Sequence, residues 1–136
     1  MSDFLLELSP PARRLIKSLG LPIPVPQKLA RAHGPWEERP LEDMAIVVGA
    51  SDGASLANST ARTLAEAGAG AHLAPGVDAA AFREAGEAWG RPPRPEAPDA
   101  ADALLFDASG VSLAELRVLY DFFHHWIGML ERNGRV

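Results

Sequence analysis

Ala45-Ile46-Val47-Val48-Gly49-Ala50-Ser51-Asp52-Gly53-Ala54-Ser55 is the stretch whose reading decides the fold. Residues 45–48 are apolar without interruption, the pattern of a strand covered on both faces and therefore of the middle of a parallel sheet. Gly49 and Gly53 then suit a tight strand-to-helix turn. From Gly53 to Ala67 the positions 56, 57, 60, 64 and 67 fall on one side of a helix, with Gly68 and Gly70 marking its exit.

Toward the carboxyl end this β-then-α unit repeats. Ala71–Ala74 reads as a short second strand, and Ala79–Trp89 as a helix carried by Phe82, Ala85 and Trp89. Residues 90–98, with Arg91-Pro92-Pro93-Arg94-Pro95 at their centre, read as a proline-rich surface loop without fixed order. Ala103–Asp107 reads as the third strand. After Ala108-Ser109-Gly110, Ser112 and Glu115 form a Ser-x-x-Glu capping box that starts the last helix. Its stripe of Leu116, Leu119, Phe122, Phe123, Trp126, Ile127 and Leu130 is expected to pack on the sheet or on another chain. Gly134 is expected to end that helix and Val136 to open a fourth strand. The fold class is therefore α/β, a three-layer doubly wound parallel sheet, flavodoxin-like or Rossmann-like, incomplete at its carboxyl end.

Toward the amino end the pattern changes. Residues 1–42 read as a helical leader and a proline-rich strap, and residues 43–136 as the α/β domain, truncated before its last strands. Leu5, Leu8, Leu15, Ile16 and Leu19 line one side of an amphipathic unit, with Ser9 capping a helix that Pro10-Pro11 begin and Gly20 ends. Leu21-Pro22-Ile23-Pro24-Val25-Pro26 alternates proline with aliphatics, which dictates an extended surface strap.

A chain of 136 residues fits one domain, and 47% apolar against 23% charged residues is close to the globular average, so a packed core is expected. There is no cysteine, which excludes disulfides, thiolate catalysis and thiolate metal sites together. Charge is unevenly placed: residues 1–40 hold six Lys/Arg against four Asp/Glu, and residues 41–136 hold seven against fourteen. An acidic globular part repels a phosphate backbone, so no nucleic-acid partner is expected. Neither a membrane-spanning run nor a signal-peptide pattern is present, and a cytoplasmic location is expected.

The glycine-rich turn is the one candidate ligand loop, since backbone N–H groups at a helix N-terminus can approach a phosphate. Its candidate residues are Gly49, Ser51, Asp52 and Gly53, with Asp107 at the carboxyl end of the third strand, where α/β proteins hold ligands. The spacing matches Gly-x-x-x-Gly-x-Gly except that Ser55 stands for the last glycine, and Asp52 adds negative charge beside the phosphate seat. The alternative for Asp107 is an acid that caps the following turn through Ser109 and Gly110. No catalytic residue is assigned. A reductase of the short-chain type would need Tyr-x-x-x-Lys to lower the tyrosine's proton affinity, whereas Tyr120 is followed by Asp121-Phe122-Phe123-His124, and both lysines, Lys17 and Lys28, lie upstream. Ser51, His124 and Asp107 assemble a triad only on paper, since there is no Gly-x-Ser-x-Gly. No metal site is expected: adjacent His124 and His125 diverge on a helix, one to the surface and one to the edge of the core, and His33 and His72 lack carboxylates at ligand spacing.

Leu19-Gly20-Leu21-Pro22, Gly34-Pro35-Trp36-Glu37-Glu38-Arg39-Pro40-Leu41, Val48-Gly49-Ala50, Leu105-Phe106-Asp107-Ala108-Ser109-Gly110, Leu119-Tyr120-Asp121-Phe122-Phe123-His124 and Gly134-Arg135-Val136 occur in that order. Together they resemble the amino-terminal, flavodoxin-like and non-catalytic domain of the long 3-oxoacyl-[acyl-carrier-protein] reductases of the short-chain dehydrogenase/reductase family. The resemblance implies an accessory, structural and oligomerising domain, with ketoacyl reduction by NADH or NADPH belonging to a parent enzyme whose catalytic reductase domain is absent here. It implies that missing domain as a partner and a homo-oligomer of the parent. Acyl carrier protein, docking on Arg13, Arg14 and Lys17, is a third expectation. The alternative is a small nucleotide- or flavin-binding module that uses the Gly49–Gly53 turn.

Overall fold

The computed structural model describes residues 18–19 and 34–136. The chain divides into two compact units, residues 1–34 and 35–136. Apart from Ser18 and Leu19, the leader helix and the proline–aliphatic strap lie outside the described residues.

The second unit is a four-stranded sheet with helices between its strands. β1 (Ile46–Ala50), β2 (His72–Leu73), β3 (Ala101–Asp107) and β4 (Leu130–Arg135) are all parallel, in the order β2-β1-β3-β4. β1 is central, as its unbroken apolar run requires. Ile46 to Ala50 pair with Ala103 to Asp107 on one side, and Val47 and Val48 pair with His72 and Leu73 on the other. Val47 is fully buried and Val48 nearly so.

Side-chain alternation along β1 separates two apolar layers. On one face Ile46 and Val48 meet Ala61 and Leu64 of α1 (Ala57–Glu66) and Phe82 of α2 (Ala79–Trp89). On the other, Val47 and Leu104 meet Phe122 and Trp126 of α3 (Leu116–Trp126). The sheet is thus the middle of three layers.

The placement of α1 and α2 on one face decides how the sheet is wound. Two right-handed crossovers that keep their helices on one face must step outward in the same direction. The second step lands on Arg94, which forms a single parallel bridge with His72 and donates its N–H to the Ala71 carbonyl at 2.9 Å. Residues 95–100 then return to β3, on the far side of β1. With that bridge counted as an outermost strand, the order is the Rossmann-like 3-2-1-4-5, its third strand reduced to one residue.

This bridge also corrects the expectation of an unordered proline-rich loop. Arg91 N–H donates to the Gly86 carbonyl at 2.7 Å, and the imidazole of buried His72 meets the Glu96 carbonyl through Nδ1 at 2.5 Å. The segment is held from a helix, from a strand and from a side chain.

Local signals account for several boundaries. Asp78 caps α2 by accepting the N–H of Ala80 at 3.0 Å, and Gly90 ends it in the left-handed region at φ 68°. The Ser112–Glu115 capping box forms as expected, over a 3-10 turn, Leu113–Glu115, that leads into α3. The first three strands shift by one or two residues from the sequence reading, with β3 starting at Ala101 and not Ala103, and two helix boundaries differ more. α1 begins at Ala57 and not at Gly53, because residues 51–56 form a turn held by β3. α3 gives way at Ile127–Met129 to a second 3-10 turn, and the fourth strand begins at Leu130, six residues before Val136. Leu130 therefore belongs to the sheet.

Candidate functional site at the carboxyl ends of β1 and β3

β1 and β3 end side by side, with Ala50 opposite Asp107, and the turns that leave them meet above the sheet. Gly49 is the first residue of the candidate loop. A Cβ there would stand 2.5 Å from ring carbons of Phe122 and 2.8 Å from Phe106. Its missing side chain lets α3 settle on the strand, and the Phe106 and Phe122 rings pack with centroids 5.1 Å apart.

Ser51 is buried. Its N–H donates to the Asp107 carbonyl at 3.0 Å and its Oγ donates to the same oxygen at 3.2 Å, continuing the β1–β3 ladder by one residue. Asp52 is exposed, and Gly53, also exposed, takes φ 79° to turn the chain toward α1.

Two donors just before α1 are taken by the turn after β3. Leu56 N–H donates to Asp107 Oδ2 at 2.8 Å, and Ser55 N–H donates to Ser109 Oγ at 2.9 Å, with the two serine hydroxyls 3.1 Å apart. Asp107 Oδ1 accepts the N–H of Ser109 at 3.0 Å. Gly110 completes the closure: a Cβ there would lie 2.6 Å from the Gly53 carbonyl carbon and 2.8 Å from the Asp52 oxygen. The turn after β3 thus lies directly against the turn after β1.

Asp107 is 7% exposed. Burial pushes its carboxyl up, but the Ser109 N–H and hydroxyl and the Leu56 N–H together outweigh it and hold the group below its ordinary value. An ionised carboxylate therefore sits at the positive end of α1, where a bound phosphate would gain the same dipole and the same donors. Chemically the arrangement is an anion seat filled by the chain's own acid.

Of the five residues predicted from sequence, Asp107 and Ser51 are joined directly, Gly49 serves packing, and Asp52 and Gly53 form the outer lip. Sequence reasoning placed Asp107 among the candidate ligand residues, with capping of its own turn through Ser109 and Gly110 as the alternative, and the structure contains the Ser109 bond of that alternative. It missed Leu56, fifty-one positions away, and the Ser55–Ser109 pair. A serine at the third-glycine position, opposite another serine after a neighbouring strand, was the available signal. His124 is not drawn toward Ser51: it is exposed on α3 and stacks on Tyr120 with ring centroids 5.3 Å apart. His125 is exposed as well, contrary to the expectation that one of the pair would edge the core. Among the described residues no group of three His, Cys, Asp or Glu is placed to hold a metal ion, and no helix is long and apolar enough to cross a membrane.

No protein-family model matches the chain, and no curated protein sequence matches it.

Proposed function

We propose that this chain is a structural, non-catalytic α/β domain that accompanies a 3-oxoacyl-[acyl-carrier-protein] reductase and contributes to its assembly, while the parent enzyme performs the NADH- or NADPH-dependent reduction. One observation carries the structural part of the reading: the β1 turn is closed by Asp107, Ser109 and Gly110. The N–H groups of Ser55 and Leu56, at the helix end of that turn, are bonded within the chain. The enzyme class rests on the resemblance of the sequence segments named above. A Rossmann-like winding agrees with an α/β ancestor that bound nucleotides, and the lack of Tyr-x-x-x-Lys supports the reading in which reduction belongs to the parent enzyme. A reductase domain, and acyl carrier protein at Arg13, Arg14 and Lys17, are the partners that follow from this reading.

A titration tests it. Purified chain is mixed with NADPH, NADH or FMN and followed by calorimetry and by absorbance, then assayed with a 3-oxoacyl thioester. The expected result is no saturable heat, no flavin colour and no thioester-dependent oxidation of the nicotinamide. Saturable binding that Gly53→Val abolishes would replace this reading with the second one, a small nucleotide- or flavin-binding module. That reading is favoured only by the exposed, left-handed Gly53 at the lip of the turn. Reduction at the rate of a dedicated reductase would overturn both.

A further inference from the structure

The chain holds two asparagines, Asn58 and Asn133, and only Asn133 is followed by glycine. It lies where β4 leaves its ladder: Leu130 pairs with Ala101 and Arg135 with Ala103, so residues 131–134 bulge opposite a single residue of β3. In that bulge Asn133 takes φ 71°, a left-handed conformation that asparagine tolerates better than most side chains. Gly134 is fixed as well, because a Cβ there would stand 2.5 Å from Leu130 Cγ and 2.9 Å from the Glu131 carbonyl oxygen. The bend of β4 thus selects Asn-Gly on steric grounds. Two contacts of the pair bear on its chemistry. Arg135 Nη1 donates to the Asn133 carbonyl, the oxygen of the same peptide group that contains the Gly134 nitrogen. Asn133 Oδ1 is buried, and no donor of the described residues reaches it.

We propose that Asn133 is a site of spontaneous deamidation, in which the backbone nitrogen of Gly134 attacks the Asn133 side-chain amide and Arg135 promotes the attack. Hydroxide removes the Gly134 N–H proton, the nitrogen bonds to Asn133 Cγ, and the Cγ–Nδ2 bond breaks. The departing nitrogen takes a proton from water and leaves as ammonia, so that a five-membered imide remains. Water then opens the imide on either side, giving aspartate where the new N–Cγ bond breaks and isoaspartate where the original peptide C–N bond breaks. One water is consumed and one ammonia released, with no change of oxidation state.

Each feature of the bulge acts on a different part of this path. Gly134 presents a nitrogen with no Cβ beside it to crowd the approach. Loss of the N–H proton puts negative charge on the peptide oxygen as well as on nitrogen, and the Arg135 guanidinium sits on that oxygen. A buried acceptor without a donor costs free energy, so turning the Asn133 side chain toward Gly134 gives up no bond of Oδ1 to the described residues. Asn58 is the internal contrast, since it is followed by Ser59 in the first turn of α1. The isoaspartyl product lengthens the backbone of β4 by one methylene and adds a negative charge, in a strand that meets β3 at two pairs only. This covalent mark lies at the opposite end of the chain from the leader and is independent of the structural reading above.

The full chain is incubated at mildly alkaline pH and physiological temperature, then digested and mapped by mass spectrometry. The expected result is an amide-to-acid mass gain in the peptide spanning residues 131–136, ahead of any at Asn58, with part of the product accepting a methyl group from an isoaspartyl methyltransferase. Arg135→Gln is expected to slow the conversion at least about fivefold, and Arg135→Lys to fall between. Conversion of Asn133 no faster than that of Asn58 overturns the proposal. So does a rate in the folded chain more than about tenfold below that in denaturing urea, which would mean that β4 shields the pair. A rate unchanged in Arg135→Gln overturns the part given to Arg135.

Discussion

Asp107 Oδ2 accepts the backbone N–H of Leu56 at 2.8 Å, so that the last residue of β3 caps the helix that follows β1. Four groups depend on this carboxylate and its turn: the N–H groups of Leu56 and Ser109 directly, and Ser55 and Gly110 through the turn it shapes. Asp107→Ala leaves two backbone donors without their acceptor and is expected to cost about 2–3 kcal/mol in urea unfolding, whereas Asp107→Ser, which retains one acceptor, costs less. Equal stability of wild type and Asp107→Ala would show that water replaces the carboxylate freely.

The same carboxylate predicts a pH dependence. Its folded value lies below the ordinary 3.8. On acidification the unfolded chain therefore takes up this proton first, and stability is drawn down. The advantage of wild type over Asp107→Asn should be complete above that ordinary value, and should shrink as pH falls through the lower folded one. Denaturation midpoints of both proteins between about pH 2.5 and 7 check the sign: an advantage that grew on acidification would contradict it.

Gly49→Ala tests whether the first glycine serves packing. A Cβ would fall 2.5 Å from Phe122, and overpacking of this kind costs about 1–3 kcal/mol. Combined with Phe122→Leu, the loss should be less than the sum of the two single losses, because the smaller side chain clears the clash. Strict additivity in denaturant unfolding would place the strain elsewhere.

Gly86→Ala sets two effects of opposite sign against each other. Alanine inside a helix is worth about 1 kcal/mol over glycine. Its Cβ, however, would stand 2.5 Å from the Arg91 carbonyl oxygen and 2.6 Å from Pro92 Cα, backbone that cannot swing aside. The clash is expected to win. The Arg94 N–H, bonded to Ala71, should exchange with solvent at least about tenfold faster, read by hydrogen exchange. Unchanged protection would show that residues 91–94 are not held from α2.

How much of this was legible depends on how far each signal reaches along the chain. The bounds of α2 were legible from the Phe82, Ala85 and Trp89 spacing and the proline-rich stretch after it, and the caps that fix them, Asp78 and Gly90, act on their own helix ends. The Ser112–Glu115 box spans three positions and was equally plain. β1 announced itself by its apolar run. The start of α1 was misread because the donors of Ser55 and Leu56 are satisfied from β3, more than fifty residues away. The proline-rich segment was misread for the same reason: the residues that order it, Ala71, His72 and Gly86, form neither a turn nor a repeat with it. The end of α3 failed differently. Leu130 continues the helical spacing of Phe123 and Trp126, and only the pairing of Ala101 with Leu130 moves it into the sheet. In the site, Asp107 stood out by its place at a strand end, and its distant partner did not.

Both outer margins of the sheet are irregular. Beyond β2 lies a one-residue bridge framed by Pro93 and Pro95, which have no N–H to offer, and on β4 five steps, Leu130 to Arg135, stand against two on β3, Ala101 to Ala103. Neither margin presents the even row of donors and acceptors along which a foreign strand could extend the sheet. A partner that approaches either margin meets side chains and not an open ladder, and recognition written in side chains can be rewritten one residue at a time.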